Sequence, residues 1–283
     1  MTSCTSWSRA QFFTWWSKNE RPSHVLAGAR RGALPAERRT VLTNPAASPR
    51  PTWLNALAAV AILAVAVGAF LGLRVSPPDV NQGDLIRVMY AHVSVAWVSF
   101  LAVGVAAVAG IAYLWRGNRR LDVVSVAGAE TALLYGVLTI VGGMTYSKPT
   151  LNTFWTWDAK LTLTALMVAL LAGVFIVRGL IDEPQRRGRV SAVILIVVLA
   201  SLPLNYLAAE WFRTLHPAKA IDLTGGGVTI DGTMLSILLY NVAAAALTYV
   251  WLLVERVRIG MREVHRETFA RSRVRERPGT VRV

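Results

Sequence analysis

The stretch of sequence whose residue types are most suggestive of a function lies between two long apolar segments. It combines three large aromatic side chains with a carboxylate: Phe154, Trp155, Trp157 and Asp158. Aromatic faces beside a membrane surface can stack on a flat, apolar ligand with a charged edge, such as a porphyrin. The same composition is typical of the aromatic belt that forms at membrane boundaries. The stretch alone therefore leaves both interpretations open.

The positions of the histidines favour the first interpretation. His92 lies near the start of the second apolar segment, and His216 follows the fifth. An imidazole in or beside an apolar segment is costly without a partner, which makes it a functional candidate. Two neutral imidazoles on one surface can serve as the axial ligands of a haem iron. His24 and His265 lie in the terminal tails without other candidate residues nearby, and no role is predicted for them.

The composition indicates a polytopic membrane protein. The chain has 283 residues, of which 54% are hydrophobic, and its mean hydropathy is +0.45. A helix needs about 20 apolar residues to cross a bilayer. Six segments meet that length closely enough to predict an all-α protein with six transmembrane helices: Trp53 to Leu73, Val88 to Trp115, Val123 to Met144, Leu161 to Ile181, Val190 to Leu207 and Met234 to Val254.

The distribution of Lys and Arg predicts the orientation, because basic residues are retained on the cytoplasmic side. Of the 30 basic residues, 24 lie in or beside the two tails and the links that follow the second and fourth segments. Both termini are therefore predicted to be cytoplasmic, and the aromatic link and both candidate histidines to lie on the outer side. The net charge of +14 is thus mostly a topological signal rather than a sign of nucleic-acid binding, with attraction of the tails to anionic lipid as an added possibility.

Three regions follow from this pattern. Residues 1–50 are rich in Arg, Ser, Ala and Pro, and we interpret them as a disordered cytoplasmic extension or as the result of a start codon placed too early, with an organelle transit peptide as the less favoured alternative. Residues 51–255 form the membrane domain, with an external tryptophan-rich link at 145–160. Residues 256–283 form a basic cytoplasmic tail, predicted to be a helix on the inner membrane surface.

Several classes of chemistry are excluded. Cys4 is the single cysteine, so the chain has no disulfide framework, CxxC pair or CxxCH haem-attachment motif. No closely spaced set of His, Cys or carboxylate ligands suggests a zinc site. No Walker motif is present, so any ATP hydrolysis must come from a partner. The chain itself is predicted to be a haem-binding component rather than an enzyme.

Two features inside the third segment need a structural explanation. Glu130 is a carboxylate within a predicted span, where it requires protonation or a hydrogen bond from a neighbouring helix. Gly142 and Gly143 are expected to end that span or to let two helices approach closely.

Candidate haem contacts follow from residue type. Haem propionates would pair with outer cations, and the sequence offers Lys148, Lys160 and Arg213 for this. Asp158 cannot usefully face propionates, and we expect it to orient the link by accepting hydrogen bonds. The residues predicted to stack on haem are Phe154, Trp155, Trp157 and Trp211.

Three stretches in this order relative to six spans resemble the haem exporter protein C family of the cytochrome c maturation system. The first includes Arg87, Tyr90 and His92, the second runs from Lys148 through the tryptophans to Thr162, and the third runs from Glu210 to His216. The pattern departs from the family at positions where further Trp and Gly residues, or an Arg, would be expected: Tyr146, Ser147, Leu151, Asn152, Phe154 and Lys160.

The resemblance implies a haem-handling protein of the inner membrane. Haem b would be held transiently at the periplasmic face between His92, His216 and the aromatic link, and then passed to a periplasmic haem chaperone. It further implies a complex with an ABC-type ATPase and other membrane subunits. The alternatives are a haem-binding subunit of a cytochrome c synthetase from the other biogenesis system, a transport permease, and an electron-transfer cytochrome. The first usually has more spans or histidine pairs, the second would need polar or broken helices at the membrane midplane, and the third would need histidines paired across facing helices.

Overall fold

The computed structural model describes residues 50–212, 214–216, 221–222 and 227–275. Its framework is six helices: α1 Thr52–Phe70, α2 Arg87–Arg116, α3 Arg119–Leu151, α4 Ala159–Leu180, α5 Pro184–Trp211 and α6 Gly232–Arg275. The short elements are a π-helical turn at Leu71–Val75, a 3-10 turn at Asp84–Ile86, and the antiparallel strands β1 Ile221–Asp222 and β2 Gly227–Val228. All six helices are long and apolar enough to cross a membrane, which confirms the predicted fold class. The predicted N-terminal extension lies, apart from Arg50, outside the described residues, as do the last eight residues of the tail.

Two helices extend well beyond their predicted apolar segments. α3 continues past Met144 to Leu151, through Pro149, and its C-cap is Asn152 in the left-handed conformation at φ 55°. The non-helical part of the predicted aromatic link is therefore residues 152–158. α6 likewise continues past Val254 to Arg275, so the start of the basic tail is a continuation of the last helix. Hydropathy indicates where a helix leaves the hydrocarbon core of the membrane. The helix itself can continue beyond that boundary.

α2 is the central helix of the bundle and packs against α3, α5 and α6. Small residues allow its close approach to α3: a Cβ on Gly128 would lie 3.0 Å from Ala106, and Ser125 Oγ donates to the Ala106 carbonyl at 2.8 Å. α1 packs on α6, and α4 packs on α3 and α5. Close packing through small residues is typical of helices in membranes, where burial of apolar surface provides little driving force.

The bundle has two ends with different chemistry. Tyr146 Oη donates to Gln82 Oε1, and Asp158 accepts from the Leu215 amide, so the C-terminal ends of α3 and α5 lie beside the starts of α2 and α4. We call this the link end. Arg119 pairs with Glu267 at 2.9 Å at the opposite end, which we call the terminal end.

Charges within the helices toward the terminal end are paired between helices. Arg178 of α4 donates to both oxygens of Asp122 of α3, at 2.9 and 3.2 Å, and to Ser191 Oγ of α5 at 3.1 Å. Glu130 accepts from two nitrogens of Arg256 of α6, which supplies the hydrogen bond that a carboxylate within a span requires. Since an unpaired charge is costly in a medium of low dielectric constant, these pairs favour the observed arrangement of α3, α4 and α6.

Replacement of Arg178 by Ala is expected to destabilise the bundle, because it leaves the 95%-buried Asp122 side chain without its ion-pair partner. Loss of one member of a buried pair costs about 3–5 kcal/mol. Thermal unfolding of the detergent-solubilised protein, followed by circular dichroism, measures the loss. Arg116→Ala, at an exposed position at the end of α2, serves as the control. Equal unfolding temperatures for the two variants would contradict the assignment.

Candidate functional site

His92 lies five residues into α2, about 8 Å along the helix from its start at the link end. Its imidazole is partly buried and lies against the backbone of α3 at Thr139, Gly142 and Gly143. The Nδ1 atom is screened from solvent and has no hydrogen-bond partner among the described residues. Lys160, at the start of α4, lies within electrostatic range of the ring. The side chain is therefore oriented by packing at the α2–α3 contact.

The aromatic link begins at the end of α3. Lys148 Nζ donates to the Asn152 carbonyl at 3.2 Å and lies 5.3 Å from the centre of the Phe154 ring. This places a cation over an aromatic face, an arrangement that is favourable at exposed sites. Lys148 thus donates a hydrogen bond at the C-terminal end of α3 and contacts the first aromatic residue of the link.

The two tryptophans of the link contact each other edge to face. Their ring centres are 5.5 Å apart and their planes meet at 78°. Trp155 is partly buried, and its Nε1 has no partner among the described residues, whereas Trp157 is 80% exposed. Trp211, at the end of α5, is 62% exposed. Trp155 therefore supports Trp157, and the exposed aromatic rings of this region are those of Phe154 and Trp157 in the link and of Trp211 at the end of α5.

Asp158 connects the link to the segment that carries His216. Its Oδ1 accepts from the Leu161 amide at 2.9 Å and so caps α4. Its Oδ2 accepts from Thr214 Oγ1 and, at 3.3 Å, from the Leu215 amide. Thr214 Oγ1 in turn accepts from the His216 amide at 3.1 Å. One carboxylate therefore fixes the end of the aromatic link and the backbone just before His216.

Lys160 connects this arrangement to α5 and to His92. Its Nζ donates to the Asn205 carbonyl at 3.2 Å, and the buried Asn205 side chain donates to Thr164 Oγ1 of α4 at 3.0 Å. His92, Lys160, Asp158 and His216 thus all lie at the link end, where Thr214 connects Asp158 to the His216 backbone and Lys160 lies within electrostatic range of His92. Arg213, predicted to pair with a propionate, lies outside the described residues.

Sequence reasoning did not assign roles to Thr214 and Asn205. Threonine and asparagine are common at helix ends, and neither position carries a spacing signal that would reveal a partner more than 40 residues away. The resemblance to a known family covered Thr214 only as part of a longer stretch. Their contacts become visible only in the folded chain.

The family model for heme exporter protein C matches residues 42–272. The heme exporter protein C of Bradyrhizobium diazoefficiens is 31% identical over 198 residues, which is 69% of this chain and 74% of that protein. The chain belongs to the heme exporter protein C family.

Relatives from other lineages support the assignment. The heme exporter protein C of Haemophilus influenzae is 27% identical over 70% of this chain and 80% of its own length. A ccmC-like mitochondrial protein of Marchantia polymorpha, named for cytochrome c biosynthesis, is 28% identical over 59% of this chain and 70% of its own length. The family resemblance drawn from the three stretches is therefore confirmed, and the chain is a multi-pass membrane member of this haem-handling family.

Replacing Asp158 by Ala is expected to loosen two structures at once, the first turn of α4 and the segment before His216. Loss of a helix cap costs about 1 kcal/mol, which corresponds to roughly fivefold faster local exchange. Hydrogen–deuterium exchange should show faster exchange of the Leu161 and Leu215 amides. Thr214→Val, which keeps the cap, should accelerate exchange near Leu215 alone. Acceleration near Leu161 only, in the Asp158 variant, would contradict the proposed connection.

Proposed function

We propose that this protein binds haem b transiently at the link end of the bundle and delivers it to a periplasmic haem chaperone for the biogenesis of c-type cytochromes. The observation that carries the proposal is the Asp158 carboxylate, which joins the aromatic link to the backbone before His216. His92 lies near the start of α2 at the same end, within electrostatic range of Lys160. A bis-imidazole site can take its two ligands from distant parts of a sequence, and both candidate histidines belong to this end.

The residue chemistry at the link end fits haem as the cargo. His92 and His216 supply imidazoles for the two axial positions of the iron. The exposed rings of Phe154, Trp157 and Trp211 supply apolar area for a porphyrin face or for the chaperone that receives it.

Cations at the rim complete the fit. Lys148 and Lys160 lie at the two helix ends that flank the link, and each is held there by a backbone carbonyl. An ammonium group in such a position can also pair with a propionate. Asp158, whose oxygens accept hydrogen bonds from the protein itself, acts as the residue that orients the link.

The orientation follows from the charge distribution. The terminal end carries the excess of Lys and Arg, so it lies on the cytoplasmic side of the inner membrane. The link end then lies on the periplasmic side. The chain has no nucleotide-binding motif. We therefore assign ATP hydrolysis to an ABC-type partner that assembles with this protein and with further membrane subunits, and we assign haem binding and transfer to this chain.

Replacement of His92 or His216 by Ala is expected to remove the bis-imidazole absorption spectrum of bound haem. The dissociation constant for haem should rise by more than about tenfold, the lower end of the cost of disturbing a metal site. Titration of purified protein with haem, followed by absorption spectroscopy, measures both quantities. His265→Ala, at an exposed position of the terminal end, is the control and should behave as wild type. An unchanged spectrum in both test variants would refute the ligand assignment.

Replacement of Trp157 by Ala is expected to weaken haem binding or transfer to the chaperone without reducing stability, because the ring is 80% exposed. Loss of an aromatic stacking contact is worth about 1 kcal/mol, or roughly fivefold in affinity or transfer rate. Trp115→Ala is a matched control, since Trp115 is 84% exposed at the other end of α2. Stopped-flow transfer of haem to a purified periplasmic haem chaperone is the measurement. Equal effects of the two substitutions would indicate a general membrane-interface role.

A further inference from the structure

Gly142 and Gly143 lie together in a helix that does not need them for its own conformation. α3 continues for eight residues beyond Gly143, so neither glycine ends the helix, contrary to the first sequence interpretation. Neither has a positive φ, unlike Gly83 and Gly117. Glycine within a helix is unfavourable compared with alanine. The pair therefore requires an explanation outside α3.

The explanation lies in the imidazole of His92. A Cβ on Gly142 would lie 3.3 Å from His92 Nδ1 and 3.6 Å from its Cβ. A Cβ on Gly143 would lie 3.1 Å from His92 Cε1, 3.7 Å from Nδ1 and 3.8 Å from Nε2. The shortest of these distances are below the separation of about 3.5–4.0 Å at which carbon atoms pack. The ring thus occupies the space that two side chains of α3 would otherwise fill.

The glycine pair differs from the other close glycine contacts among the described residues, because one side chain meets both glycines. Gly72 and Gly188 each face one tyrosine ring, whereas Gly142 and Gly143 both face the His92 imidazole. Its Nδ1 has no partner by ordinary geometry among the described residues, and the α3 backbone at Thr139 also interacts with the ring. Contact with the backbone of α3 therefore sets the position of the ring.

We propose that Gly142 and Gly143 form a seat for the His92 imidazole and are positioning residues for haem ligation. The proposal rests on the proposed function, in which His92 is an axial ligand. A methyl group at either position would displace the ring by a few tenths of an ångström. A coordination bond is short and directional, so this displacement would weaken the bond to iron even though every haem-contacting side chain remains.

The test is a haem titration of Gly142→Ala and Gly143→Ala, with absorption spectra and thermal unfolding of the haem-free protein. We expect the dissociation constant to rise about tenfold, the scale of outer-shell effects on metal sites, with partial loss of the bis-imidazole spectrum. The unfolding temperature should stay the same or rise, because alanine favours a helix. Weaker haem ligation without loss of stability distinguishes a positioning role from general damage.

Gly104→Ala on α2 and Gly173→Ala on α4 are matched controls, since a Cβ at either position would meet nothing within 4 Å. Both should bind haem as wild type does. Wild-type spectra and affinities for both seat variants would overturn the proposal, and so would a fall in unfolding temperature that accounts for the weaker binding. His92→Ala distinguishes failure of the proposed function from failure of the proposed seat. If it abolishes the bis-imidazole spectrum while the seat variants do not change it, only the seat proposal fails. If His92→Ala leaves the spectrum intact, the ligand assignment fails and the seat fails with it.

Discussion

The link end depends on one carboxylate, Asp158, which accepts hydrogen bonds from four residues: Thr156, Leu161, Thr214 and Leu215. Asp158 caps α4 through the Leu161 amide, and it also binds Thr214 and Leu215, which follow the C-terminal end of α5. A charged acceptor bonded to several donors is stronger than a neutral one, and it needs no neighbouring cation to remain in place. Because residues 152–158 have no helical hydrogen bonds of their own, the position of their aromatic rings is set at one end by the Asn152 cap and at the other by Asp158. The His216 segment shares the second of these anchors.

The terminal end follows a different rule. Its ion pairs, between Asp122 and Arg178 and between Glu130 and Arg256, join α3 to α4 and α6 in places where an unpaired charge would be costly. These pairs fix helices against one another, whereas the hydrogen bonds to Asp158 at the link end fix connecting segments. This difference between the two ends agrees with the proposed function. A bundle whose helices are held together at the terminal end can support a surface at the link end that binds and releases haem.

The sequence was sufficient to predict the six spans, because each is a long apolar run and hydropathy responds directly to such runs. It did not predict the extension of α3 to Leu151, since polar residues outside hydrocarbon carry no comparable signal. It predicted a helix in the basic tail, but not that this helix continues α6 to Arg275. It identified Glu130 as needing a partner but could not name Arg256, which lies 126 residues away. For the same reason the roles of Thr214 and of the two glycines beside His92 were not predictable: each depends on a tertiary contact between elements that local patterns do not encode.

The same contacts bear on how the site could release what it binds. In the proposed function the two axial ligands differ in support: His92 lies on a long helix against the backbone of α3, whereas His216 follows α5 in a segment held through Thr214 and Asp158. Breaking a few hydrogen bonds costs much less than separating packed helices, since each contributes about 1 kcal/mol. The His216 side of the site can therefore move while the bundle remains folded. In the proposed function, loss of the bond from that side would leave the haem on His92 alone, at the end of the bundle where Trp157 is exposed to an incoming chaperone.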